Sequence, residues 1–194
     1  MTSILLASDA SALIEKAIKP GKTAFISTAA DTYKNKWWIK QDKKILTKKG
    51  FRLKEIRLNR KLSLSELREF DIIYLAGGNT FYLLQKMRES GFRKIAGKLM
   101  ESGVAYVGSS AGAAVAGPNI RCVRFLDDTS KSNLKSFKGL GLVDFIPLPY
   151  FGNKKYAKQY EKVMLDLEKT RYKYMKIKEN QAVFVKNGKI KIVV

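Results

Sequence analysis

The stretch that most restricts how this chain can fold is residues 104–118, VAYVGSSAGAAVAGP. Residues 104–107 are a short apolar run rich in valine, the pattern of a buried strand. Residues 111–116 read as a helix of small side chains. The five residues between them, Gly108-Ser109-Ser110-Ala111-Gly112, fit the G-x-S-x-G pattern of a nucleophile elbow. The pattern has a steric reason. A serine on a tight strand-to-helix turn projects its hydroxyl above the sheet, and flanking glycines let neighbouring backbone come close. The helix start also aims free N–H groups at any negative charge forming there. Taken alone, the five residues fit an ordinary Gly/Ser turn better than an elbow, so the rest of the chain has to decide.

Around this stretch, strands and helices alternate. Strands are predicted at residues 4–7, 23–27, 51–58, 71–76, 104–107 and 142–148, each a short apolar or alternating run. Helices are predicted at 9–19, 33–49, 63–70, 80–90, 92–102 and 153–170. Trp37, Trp38, Ile45 and Leu46 are the candidate inward positions of the second. Ser63 and Glu66 have capping-box spacing, and Asn79 or Thr80 can cap the helix after Gly77-Gly78. Residues 121–138 read as loop with a helical turn. Residues 181–194 read as a hairpin around Asn187-Gly188. Such alternation predicts one α/β domain over 1–194, a three-layer sandwich with a mostly parallel sheet and a C-terminal β-hairpin. Both Gly-rich turns then fall at strand C-termini, where ligands of such folds bind.

Charge narrows the partners. Lys and Arg number 38 against 17 Asp and Glu, a formal charge of +21. That balance suits acidic ligands or nucleic acid, but the cations are spread. The densest group, from Lys43-Lys44 to Lys48-Lys49, is interrupted by Ile45 and Leu46 as on one exposed helix. Nucleic acid is therefore not favoured as a partner. The single cysteine, Cys122, rules out an intramolecular disulfide. No run is long enough for a membrane span, and the first residues lack a signal-peptide pattern. A cytoplasmic protein without a membrane partner is expected. No metal or other cofactor is expected either, since histidine is absent and no Cys or carboxylate group has ligand spacing.

Read together, Gly77-Gly78-Asn79-Thr80-Phe81-Tyr82-Leu83-Leu84, the elbow through Ala113 and Ala116-Gly117-Pro118 resemble the dipeptidase E (aspartyl dipeptidase) family of serine peptidases. The likeness runs in order along nearly the whole chain. It implies a class I glutamine amidotransferase-like (flavodoxin-like) sandwich and an exopeptidase acting on small peptides, some with N-terminal aspartate. By position it implies Ser110 as nucleophile, the Gly78 and Ala111 N–H groups as oxyanion hole, Asn79 and Thr80 at the substrate, and Asp127 or Asp128 as the acidic partner. Tyr150, in Pro149-Tyr150-Phe151, stands where the family has its histidine. Phenol is a poor base near neutrality compared with imidazole. Lys154 and Lys155 are the nearest alternative bases, although two lysines opening a solvated helix is the plainer reading. Three functions follow: a serine peptidase with a replaced base, an inactive relative that binds peptide or an acidic ligand, and, third, a basic nucleic-acid-binding protein.

Overall fold

The computed structural model describes residues 2–194. Its main sheet holds seven strands in the order β3-β2-β4-β5-β1-β8-β9. In chain order these are β1 (Ser3–Ala7), β2 (Lys22–Ile26), β3 (Arg52–Glu55), β4 (Ile72–Leu75), β5 (Ala105–Ser109), β8 (Ala182–Lys186) and β9 (Lys189–Val193). The first five are parallel, and β8 and β9 close the sheet as an antiparallel hairpin. Asn187 and Gly188 turn that hairpin with φ of 49° and 78°, the left-handed pair that a two-residue turn between right-twisted strands demands. The expected α/β sandwich, mostly parallel with its closing hairpin, is the fold observed.

The period-two rule builds the layers. Along β1, Ile4 and Leu6 enter one core while Leu5 and Ala7 enter the other. Strands β2 and β4 divide the same way: Ala24, Ile26, Ile73 and Leu75 against Phe25, Ile72 and Tyr74. Helices α1 (Ala10–Leu13) and α2 (Trp37–Lys48) cover the second face. The first is covered by α3 (Leu64–Arg68), α4 (Thr80–Glu89), α5 (Phe92–Glu101), α6 (Ala111–Ala114) and α7 (Ala157–Glu168). Strands buried on both sides need apolar residues at every position, and β4 has them.

Several expectations are corrected. Helix α2 begins at Trp37, not at residue 33, and its buried stripe is Ile39, Asp42 and Leu46. Trp37 is 60% exposed, because adjacent helical residues cannot both face the core. The third strand stops at Glu55, short of residue 58. The strand expected at 142–148 is β6 (Phe145–Pro149), which pairs outside the main sheet with β7 (Lys173–Ile177). Strand β7 was not expected at all. Its Lys-Tyr-Met-Lys-Ile run is mostly exposed and carries no strong apolar signal.

The sheet and elbow meet backbone to backbone. A Cβ on Gly112 would lie 2.3 Å from the Leu75 carbonyl oxygen, and one on Gly108 would lie 2.5 Å from the Gly112 oxygen. Neither neighbour is a flexible side chain, so the packing cannot yield cheaply. Gly112→Ala is expected to cost about 1–3 kcal/mol or more, seen as a lower urea midpoint with an unchanged slope.

Candidate active site

Turns from three strands converge at their C-terminal ends. Strand β5 delivers Ser110, whose backbone sits at φ 51°, ψ −109°, a conformation that costs a side-chain-bearing residue about 1–3 kcal/mol. It is held from both sides. The Ser110 N–H donates to the Ala7 carbonyl at 2.9 Å, and its own carbonyl accepts from the Ala113 and Ala114 N–H groups. Ser110 lines both cavities described below.

The second turn follows β4. Gly77 faces Ser110 so closely that a Cβ there would lie 3.1 Å from the serine Cβ. Gly78 has φ 151°, and a Cβ on it would fall 2.2 Å from the Ala29 carbonyl carbon. Only glycine fits. Among the described residues, neither the Gly78 nor the Ala111 N–H has a protein acceptor, so both are open to a ligand. The Trp38 indole N–H donates to the Gly77 carbonyl at 3.1 Å and fixes this turn from the α2 side.

Tyr150 closes the third side, just after β6. Its φ is 61°, so it too is held in the left-handed region. Its N–H donates to the Ser8 hydroxyl oxygen at 2.7 Å. Ser8 in turn reaches the Ile177 and Lys178 carbonyls and accepts at its own carbonyl from Ser109 Oγ. The Tyr160 hydroxyl donates to the Pro149 carbonyl one residue earlier. Burial pushes the Tyr150 phenol up to about 12, and the nearby Ser110 hydroxyl opposes that rise. Lys154 and Lys155 are exposed, and the Lys155 ammonium rests 5.4 Å above the Tyr156 ring.

The two aspartates separate. Asp127 Oδ2 accepts from the Thr80 N–H at 2.8 Å, and burial raises its pKa against that bond. Asp128 is exposed and caps the next turn at the Ser130 N–H, which lowers its pKa. Asn79 is buried with both ends of its amide engaged. Its Oδ1 accepts from the Tyr82 N–H and caps α4, and its Nδ2 donates to the Asp128 carbonyl. Thr80 lines a small cavity of about 70 Å³ with Leu126 and Leu148. A larger one of about 570 Å³ runs toward β1 and α2, past Asp9, Tyr33, Trp38 and Asp42. Ser110, Asp127, Tyr150 and Tyr156 line both.

Asp42 was not anticipated as a site residue. It lies in the buried stripe of α2, and a carboxylate at helical spacing between Ile39 and Leu46 was the available signal. It accepts from the Tyr74 hydroxyl at 3.1 Å. Burial, then repulsion from Asp9, push it up to about 6. Among the described residues, no three Cys, Asp or Glu side chains gather as a metal site. No helix there is long and apolar enough to cross a membrane.

The fold and these turns define a class, the class I amidotransferase-like α/β sandwiches that carry a glycine-flanked serine elbow at the sheet's carboxyl end. Residues 7–193 match the sequence model of peptidase family S51, and the chain belongs to that family. It is 33% identical over 176 residues to an uncharacterized peptidase of Listeria monocytogenes, covering 88% of this chain and 85% of that one. An uncharacterized peptidase of Pasteurella multocida is 31% identical over 168 residues, 84% and 80% of the two chains. A peptidase E of Streptomyces coelicolor is 35% identical over 88 residues, 45% of this chain and 35% of its own. The crystal structure of a candidate peptidase E from Listeria monocytogenes superposes with a TM-score of 0.89 at 28% identity, covering 99% and 98%.

The raised Asp42 carboxyl makes a signed prediction. Between its unfolded value of 3.8 and about 6, the native state holds a proton that the unfolded state has released. Its contribution to stability is therefore full below the lower value and is lost as pH rises through the upper one, about 3 kcal/mol in all. Asp42→Asn keeps the acceptor for Tyr74 and removes the titration. The variant is expected to gain stability relative to wild type as pH rises from about 4 to 7, read from denaturant midpoints across pH.

Proposed function

We propose that this peptidase is a serine-type hydrolase of small peptides, with Ser110 as nucleophile and Tyr150 as the group that takes its proton. The observation that carries the reading is Ser110 itself, held at φ 51° beside two open N–H groups and the Tyr150 phenol. Backbone strain of that kind persists only where surrounding structure enforces it, and it gathers at functional sites.

In this reading the Ser110 Oγ attacks the scissile carbonyl carbon while its proton passes to a Tyr150 phenolate. The Gly78 and Ala111 N–H groups receive the charge that forms on the carbonyl oxygen. Collapse breaks the C–N bond, and Tyr150 returns the proton to the leaving amine. Water then attacks the Ser110 ester by the same route and frees the acid. Asp127 acts through position. It fixes the start of α4 at the Thr80 N–H, and with it the turn that carries Gly78. Asn79 and Thr80 support that turn more than they meet substrate. A cytoplasmic setting is consistent with the lone cysteine, Cys122, which is buried.

The high pKa of Tyr150 sets the rate law. At pH 7 a phenol with pKa about 12 is ionised in roughly one molecule in 10⁵. Turnover near neutrality is then slow, and a second reading, peptide binding without turnover at neutral pH, draws on the same observation.

Hydrolysis of a dipeptide panel measured from pH 7 to 11 separates the two. Under the first reading kcat/KM rises about tenfold per pH unit. Ser110→Ala lowers it by at least about a hundredfold, and Tyr150→Phe removes the pH slope. Tyr150→His should raise the rate at pH 7. A wild type that is silent at every pH, with dipeptides still bound, would leave the binding reading standing.

A further inference from the structure

The large cavity beside Ser110 is charged opposite to the molecule around it. The chain holds 38 Lys and Arg against 17 Asp and Glu. The cavity's acidic walls are nevertheless Asp9, Asp42, Asp127 and Glu179, with Lys155 as its one lysine. Of the cations on and beside α2, Lys36, Lys43 and Lys49 are engaged elsewhere, and Lys34, Lys40, Lys44 and Lys48 do not line the cavity. The Lys49 ammonium donates to the Ser11 and Ala12 carbonyls and pairs with Glu15 at 3.1 Å. Lys36 pairs with Asp31 and Lys43 with Glu55.

A second feature of the cavity is independent of charge. One wall is a cluster of aromatic rings, with Tyr33 and Trp37 packed edge-on to Trp38 at centroid distances of 5.3 and 6.1 Å. Trp38 is pinned through its indole N–H to Gly77, whereas Trp37 is 60% exposed and Tyr33 41%. Uncovered π faces beside carboxylates are the surroundings that ammonium and guanidinium groups prefer. At about 570 Å³ the space is of ordinary ligand-site size.

We propose that this cavity receives the amino-terminal residue of a peptide and selects one with a basic side chain, lysine or arginine, its carbonyl lying at Ser110. The proposal rests on the reading of Ser110 as nucleophile given above. Asp9 is well placed for the task. All three of its contacts, to the Ser11 N–H, the Ser11 hydroxyl and the Ala12 N–H, fall on Oδ1. Its Oδ2 has no partner among the described residues. Asp9 and Asp42 repel one another, and a cation between them relieves that repulsion. An acidic side chain would add to it. The preference for N-terminal aspartate implied by the family likeness therefore does not suit this cavity.

The test is calorimetric binding of Arg-Ala, Lys-Ala, Ala-Ala and Asp-Ala to full-length Ser110→Ala, where binding is read apart from turnover. The basic dipeptides are expected to bind at least about tenfold tighter than Ala-Ala, and Asp-Ala no tighter than Ala-Ala. The preference should persist from about 0.15 M to about 0.5 M salt, since groups within a cavity are screened less than surface charges. In that background Asp9→Asn keeps the α1 cap and is expected to weaken Arg-Ala about fivefold or more while sparing Ala-Ala. Trp37→Ala, at an exposed position, should do the same through the lost ring face. Equal affinity for all four dipeptides, tighter binding of Asp-Ala, or no binding of any would overturn the proposal. Wild-type turnover on the same panel judges the Ser110 reading separately. Hydrolysis without basic selection keeps the nucleophile and removes the specificity; basic selection without hydrolysis does the reverse.

Discussion

The contact on which the rest depends is backbone against backbone at the carboxyl end of the sheet. Gly108, Gly112 and the Leu75 carbonyl meet with no room for a side-chain carbon, and Gly78 meets Ala29 in the same way. The Asn79 N–H then donates to the Ala29 carbonyl at 2.8 Å, so the β2, β4 and β5 ends lock to one another. Because that contact is rigid, the strain at Ser110 has something to work against. If Ser110 acts as proposed, a shift of about 1 Å in any of the three turns would be felt in catalysis.

The fourth member of this meeting is held by a different device. Strand β6 lies outside the main sheet, so no ladder of hydrogen bonds ties Tyr150 to Ser110. Ser8 supplies the tie, accepting from the Tyr150 N–H while its own carbonyl accepts from Ser109. One small residue at the end of β1 thereby sets the spacing between the elbow and the loop facing it. Tyr150 is then half-buried where its charged form is disfavoured.

What the sequence made legible was local. The elbow, the Asn79 cap, the Ser63 cap with Glu66 and the Asn187-Gly188 turn each follow from a few adjacent residues with a steric or hydrogen-bonding reason. Features that depend on distant pairing were not legible. Strand β7 exists because β6 offers it an edge, and its own side chains are largely solvent-facing. The distinction between Asp127 and Asp128 follows from how the loop closes on Thr80 and Asn79, 47 and 49 residues away along the chain. The large cavity is of the same kind. Asp9, Tyr33, Asp42 and Tyr150 come from four separate segments, and only the folded sheet makes them neighbours.

The two edges of the main sheet show another use of so much positive charge. Strand β3 presents Arg52 and Lys54 to solvent on one side, and β9 presents Lys189 and Lys191 on the other. Ile190 and Ile192 are also exposed on β9, the sort of flat apolar ribbon that templates sheet growth between molecules. Alternating lysines mean that a second chain approaching in register brings like charge against like. The cost of that encounter guards colloidal stability, since like charge along both unsatisfied sheet margins opposes polymerisation.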